Sequence, residues 1–224
     1  EMFDSTIGSK SVYMPFGGKF QLTPVVAMAA KFTGGETDDC TVSAYGYNPE
    51  LMSTSSFTGA VYSIVASVAK IVAAGGQYED IRLSLQEFFM RLRNNKKRWG
   101  VPVSALLGAL YAQMHLGLAA IGGKDSMSGS FEDIDVPPTL ISFALAPAKA
   151  SALITNVITR TDERLYFLPM RKDKYQIPDF EYLKKLYKCV NKNIANGNIR
   201  FATVVEQGGV AAAIAKSCFG NGFG

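Results

Sequence analysis

Between Gly122 and Ser128 the sequence reads Gly-Gly-Lys-Asp-Ser-Met-Ser, a dense set of groups able to hold an anion. Two glycines let a backbone approach a ligand and adopt positive φ, so successive N–H groups can face negative charge. Lys124 adds a compact cation suited to phosphate. Asp125 suits magnesium or a hydroxyl, and Ser126 and Ser128 can donate to phosphate or substrate oxygens. The spacing is not that of a Walker A loop, which needs GxxxxGK[ST]. A glycine pair between a strand and a loop is also the ordinary composition of a tight turn. On the residues alone, a turn at Gly122-Gly123 and a phosphate site both stand.

Other candidates carry less. Gln86 and Glu87 lie at the C-terminal end of an expected strand, where ligands gather in open sheets. His115, the single histidine, falls inside a helical pattern without a serine, cysteine or carboxylate nearby in sequence, and reads as a packed or surface residue. Thr37-Asp-Asp-Cys40 sits in a Gly-Glu-Thr-Asp turn and reads as a solvated loop. Glu206-Gln-Gly-Gly209 opens a helix, but its neighbours do not suit a phosphate, so the expectation there is structural. Cysteine is sparse and unpaired in pattern (Cys40, Cys189, Cys218), as in reduced, cytoplasmic proteins. Zinc ligand spacing is absent.

The elements expected to position these groups alternate. Residues 11–32 read as a hairpin around Gly17-Gly18, and 40–49 as a strand ending in a turn. Residues 58–76 form a strong helical pattern closed by Gly75-Gly76. A short strand begins at Ile81, and a second helix spans 103–118 with Ser104 as N-cap and Gly117 near its end. Residues 119–123 exit as a short buried strand, and 137–146 form another that Pro147 ends. The fold class is α+β, with one unit over 1–148. Composition shifts after Ala150: 149–224 reads as a strand at Leu165–Pro169, an amphipathic helix over 179–198, a strand over 199–209 and a helix start, the beginning of a second domain.

The chain of 224 residues is 48% hydrophobic and 19% charged, ordinary for a protein with a buried core. Its net charge of +4 does not argue for nucleic acid. Residues 1–90 carry five basic and nine acidic side chains, while 91–98 (RLRNNKKR) carry five basic ones and no acid. That run reads as a solvated helix end or loop, with a second reading in which it concentrates a polyanion. No aromatics interleave it, which disfavours single-stranded nucleic acid. No apolar run is expected to reach the roughly 18 residues of a membrane span, and no secretory signal is evident. The start at EMFDSTIG and the stop at GNGFG read as those of a piece excised from a longer polypeptide.

With MPFGGKFQLTP, ETDDCTVSAYGYNP, GAVYSIVASVAKIVAAGG and DVPPTLISFALA in the same order, GGKDSMSG closely resembles phosphoribosylformylglycinamidine synthase, also called formylglycinamide ribonucleotide amidotransferase. The resemblance runs through FATVVEQGGVAAAIAKSCFGNGFG and so covers nearly the whole chain. It implies an aminoimidazole ribonucleotide synthetase-like fold, with this chain the N-terminal domain of the second of two tandem units plus the start of its C-terminal domain. The implied reaction uses ATP and magnesium to phosphorylate the formyl amide oxygen of formylglycinamide ribonucleotide, after which ammonia from glutamine displaces phosphate. By resemblance Gly123 and Lys124 lie by nucleotide phosphates and Ser126 contacts substrate, with Gly122, Asp125 and Ser128 in the same substrate- and nucleotide-binding set. Gln86 and Glu87 fall near the approach to ATP. In some relatives a magnesium-binding asparagine occupies the Lys124 position, so the lysine implies charge neutralisation.

The chain lacks the family's catalytic histidine motif and glutaminase triad, so its implied partners are the first synthetase unit and the glutaminase domain. Some large relatives hold a second nucleotide with magnesium through a carboxylate pattern. TPVVAMAA, ASVAKIVAA and TVVEQGG here lack it, which implies a degenerate auxiliary site. An alternative reading makes the chain a non-catalytic, pseudo-symmetric scaffold half that only completes an interdomain barrel. A kinase-like or hydrogenase-maturation relative is disfavoured by the surrounding strings. Strands left exposed are expected to let the isolated chain pair with itself.

Overall fold

A computed structural model describes residues 10–32 and 36–223. The chain termini and part of the turn expected at 35–38 lie outside them. Strands β1 (Phe16–Gly17) and β2 (Thr23–Pro24) form the expected hairpin, with Gly18 at φ 86° in the turn. Then follow β3 (Met28–Lys31), β4 (Asp39–Gly46), α1 (Pro49–Thr54) and α2 (Ser56–Ala73). Asn48 and Ser55 cap the two helices, accepting from Leu51 N and Thr58 N. β5 (Arg82–Phe88), the strand expected to begin at Ile81, leads to α3 (Lys96–Leu116) and β6 (Ala120–Ser126). A small hairpin, β7 (Ser130–Phe131) and β8 (Ile134–Asp135), precedes β9 (Thr139–Lys149). α4 (Phe180–Ala195) and α5 (Gly209–Phe219) complete the chain.

The main sheet has the order β3-β4-β9-β5-β6 and is antiparallel except for the parallel β5–β6 pair, which α3 connects. Alternation sends Val42, Ala44, Leu83, Leu140, Ala144 and Ala146 to one face, where α2 and α3 cover them. The other face leaves Met28, Tyr45, Phe143 and Leu145 exposed. At Gly108 a β-carbon would stand 2.2 Å from the carbonyl oxygen of Phe57, so α2 and α3 approach as closely as backbone allows.

Several expectations are corrected. α2 is 18 residues with a mean hydropathy of 1.5, long and apolar enough to cross a membrane by length and composition, contrary to the expected absence of such a run. Packing within the fold buries 67% of it, with the sheet and α3 among its neighbours, which gives its apolar character a structural cause. α3 starts at Lys96, with Asn95 accepting from Lys97 N and Arg98 N, so Ser104 lies inside the helix and is not its cap. The misplacement traces to Pro102, which usually stops a helix but here sits within it. Pro147 does not end β9. The strand continues to Lys149 beyond the end of β5, where it is paired on one side only and a missing N–H is tolerated. Residues 165–169 and 199–209 are not strands; the latter offers only a bridge from Phe201 to Thr155.

The C-terminal part packs onto the same core. Phe180, Leu183 and Tyr187 of α4 join the cluster that holds Ile64, Ile71 and Leu83. Asn191 donates to the carbonyl of Gly76 (2.8 Å) and accepts from Tyr78 N (3.0 Å). Lys70, buried on α2, donates to the carbonyl of Tyr45 and pairs with Glu206, each at 2.9 Å. Lys70→Ala removes that ion pair and the buried stem together, and is expected to lower stability by about 2 kcal/mol in urea unfolding. An unchanged midpoint would exclude a structural role for this lysine.

Candidate functional site

The Gly122–Ser126 segment is not a turn. It is most of β6, an exposed edge strand, and neither glycine has positive φ. The expectation of a short buried strand at 119–123 followed by a loop is therefore corrected. What Gly123 supplies is proximity: a β-carbon there would stand 2.5 Å from the carbonyl oxygen of Leu85 on β5. The outer edge of β6 has no strand beside it, so its backbone groups on that side are unpaired within the sheet.

The parallel ladder sets Gln86 opposite Lys124, Glu87 opposite Asp125 and Phe88 opposite Ser126. Residues far apart in sequence thus meet at the C-terminal ends of two parallel strands. Alternation then splits them between faces. Gln86, Lys124 and Ser126 share the open face, while Glu87, Gly123 and Asp125 share the face toward the helices. Lys124, Asp125 and Ser128 are exposed, and Ser126 is half-buried with its hydroxyl 2.9 Å from that of Ser128.

Glu87 is 3% exposed, and neither carboxylate oxygen has a hydrogen-bond partner. Burial first, and then the negative charge of Asp125, push its acid up to about 7. The sequence marked the residue by its place at a strand end, but not its burial. Only the register of β9 against β5, which aligns it with Leu140, makes it an interior position.

One feature beside the site was missed in the sequence. Arg98 reaches Asp135 with two hydrogen bonds (2.6 and 3.1 Å), and Ser130 donates to the same carboxylate at 2.5 Å while accepting from Arg91 N. These bonds hold the Asp135 acid below its ordinary range, Ser130 first and Arg98 second. They strap the β7–β8 hairpin to the first turn of α3, so the basic run at 91–98 lies in the β5–α3 connection and that first turn. Arg98 and Asp135 are 37 positions apart, and no local pattern links them. His115 stays outside the site, stacked between Tyr111 and Phe180. Asp38 and Asp39 bond Ser151 and Lys149.

No family model matches the chain, and no curated protein matches it in sequence. Solved structures do match. PurLQS from Thermotoga maritima superposes on 85% of this chain with a TM-score of 0.62 at 13% identity. PurL of the same organism complexed with ADP superposes on 88% (TM-score 0.62, 14% identity), and its complex with FGAR on 85% (TM-score 0.60, 16% identity). The chain spans 28–29% of the length of these structures. Its fold is accordingly the aminoimidazole ribonucleotide synthetase-like α+β fold of phosphoribosylformylglycinamidine synthase II.

Proposed function

We propose that this chain is part of the second unit of an ATP-dependent synthetase that converts formylglycinamide ribonucleotide and glutamine to formylglycinamidine ribonucleotide in purine biosynthesis. It contributes one wall of the ATP and substrate site and is inactive alone. Residues 1–148 are the N-terminal domain of that unit, and 149–224 begin its C-terminal domain. The observation that carries this reading is the β5–β6 register, which aligns Gln86 with Lys124 and Phe88 with Ser126 at one sheet edge. The similar PurL structures hold ATP, ADP and FGAR, which supports the ligand classes. The open apolar sheet face is where the first synthetase unit packs, and the glutaminase domain supplies ammonia. Without them that face pairs with a second copy. The synthetase acts in the cytoplasm, consistent with three free cysteines.

Magnesium, when bound, neutralises charge on the transferring phosphoryl group. The orphaned carboxylate of Glu87 beside Asp125 fits such an ion. Lys124 contributes positive charge to phosphate, and Ser126 a hydrogen bond to substrate. At the auxiliary position, the Lys70–Glu206 pair places an ammonium against the only carboxylate of the TVVEQGG stretch, which supports a degenerate site. In the assembled synthetase, Lys124→Ala is expected to weaken AMPPCP binding by about tenfold in calorimetric titration. An unchanged affinity would refute the nucleotide role.

A second reading has one observation in its favour. Gly122–Ser126 is an edge strand and not a cradle, as a scaffold half that only completes an interdomain barrel requires. It predicts that Lys124 and Ser126 substitutions alter stability and leave both KM values unchanged.

A further inference from the structure

Helix α3 packs on α2 with small side chains, Ala105, Gly108, Ala109 and Ala112, and turns its large ones outward. Trp99, Val103, Leu106, Leu107, Leu110 and Met114 are each 49–71% exposed. Spacings of three and four set them along one stripe of the helix, away from α2. Scattered exposed leucines need no account, but a contiguous stripe does. At on the order of 100 Å² for each half-exposed side chain, the stripe offers roughly 600 Å² of apolar surface. That is the upper end of what a monomer usually leaves open, and patches of this size are often functional. α3 contains no acidic residue. The stripe lies in the helix layer, on the opposite side of the sheet from Met28, Tyr45, Phe143 and Leu145.

We propose that the α3 stripe binds a second copy of this chain, the two helices running antiparallel about a two-fold axis between Leu106 and Leu107. The stripe is symmetric about that point. Trp99 corresponds to Met114, Val103 to Leu110 and Leu106 to Leu107. A two-fold interface requires such symmetry, because each patch must meet itself. Charge sets the direction. Arg91, Arg93, Lys96 and Lys97 stand at or just before the N-terminal end of α3, and a parallel pair would bring both basic ends together. An antiparallel pair holds them about 30 Å apart, each near the C-terminal carbonyls of the other helix, where the dipole is negative. Glu79 and Glu181 border that end, paired with Lys188 and Lys184 and with Lys185 beside them, so apolar burial supplies most of the affinity. Mutual burial of two stripes covers about 1,200 Å², the lower bound of specific interfaces, which corresponds to a micromolar dimer. The open sheet face is internal to one synthetase on the reading above, whereas α3 joins two molecules.

The test is sedimentation equilibrium of the 224-residue chain carrying Leu145→Glu, an exposed change that disables pairing through the open sheet face. This chain is expected to show a monomer–dimer equilibrium with a micromolar Kd. Adding Leu110→Glu weakens it by at least about tenfold, and the milder Leu106→Gln weakens it as well. Both positions are exposed, and circular dichroism checks that the variants stay folded. Disulfide trapping reads the register in a Cys189→Ser background, which removes the exposed native thiol. Trp99→Cys chains cross-link to Met114→Cys chains when the two are mixed. Neither cross-links with itself, because the two copies of position 99 stand about 22 Å apart. Self-cross-linking at either position overturns the antiparallel register. A monomeric Leu145→Glu chain, or association indifferent to both α3 substitutions, overturns the proposal, and a monomer leaves the stripe to a different chain, such as an acidic amphipathic helix. None of these results touches the Lys124 measurement, on which the synthetase reading stands or falls.

Discussion

In the complete synthetase, supplied with free ammonia so that the glutaminase is bypassed, Lys124→Ala is expected to lower kcat/KM by roughly 10²-fold. The argument is electrostatic. Phosphoryl transfer asks the protein for little beyond position and positive charge, and Lys124 is the one cation projected from the strand pair on the open face near its C-terminal end. Ser126→Ala is expected to cost about tenfold, the worth of one hydrogen bond to a charged oxygen. Lys124 is exposed, so its loss should leave the melting temperature unmoved. A large fall in activity at unchanged stability places β6 in the synthetase site. Normal activity in both variants makes β6 a structural edge and this half of the protein a scaffold.

The second large effect concerns stability and pH. In the unfolded chain Glu87 titrates near its ordinary value of 4.5, and in the folded chain at about 7, raised chiefly by burial. The folded state therefore holds a proton that the unfolded state has released. The stabilisation due to the neutral acid is complete below about pH 4.5, declines as pH rises, and is gone above about 7. The interval corresponds to about 3 kcal/mol. Glutamine cannot titrate. In chelator, the stability difference between Glu87→Gln and the unmodified chain should shift by about that amount between pH 4.5 and 8, in favour of glutamine at the upper end. Urea unfolding at several pH values reads this directly, and a difference constant across the range would falsify the buried-acid description.

Legibility in the sequence followed the range of the interactions. The alternation of β4 and the three-and-four spacing of α2 are local patterns, and both elements appear close to where they were expected. The start of α4, expected at 179, was legible too, because Asp179 accepts from Tyr182 N within one turn. Errors cluster where a distant partner overrides a local signal. Pro147 suggested a break and the helix was expected only from 103, just after Pro102, yet packing carried the strand and the helix through both prolines. The glycine pair suggested a turn because its actual cause, the carbonyl of Leu85, lies 38 positions away. The candidate residues on β5 and β6 meet at one pair of strand ends, yet their division between two sheet faces depends on the β5–β6 register. Register across a crossover helix is not written in either strand.

Asn191 has a consequence for anyone who divides this protein. Its amide completes the hydrogen bonding of Gly76 and Tyr78 at the exit of α2, a task usually left to neighbouring backbone. Beside it Tyr187 stacks on Tyr78. An expression boundary drawn near Ala150, where composition changes, would strip these partners away and uncover the floor beneath α2 and α3. Residues 180–194 thus behave as a removable keystone, and a shortened protein meant to isolate the sheet must carry them or supply a substitute.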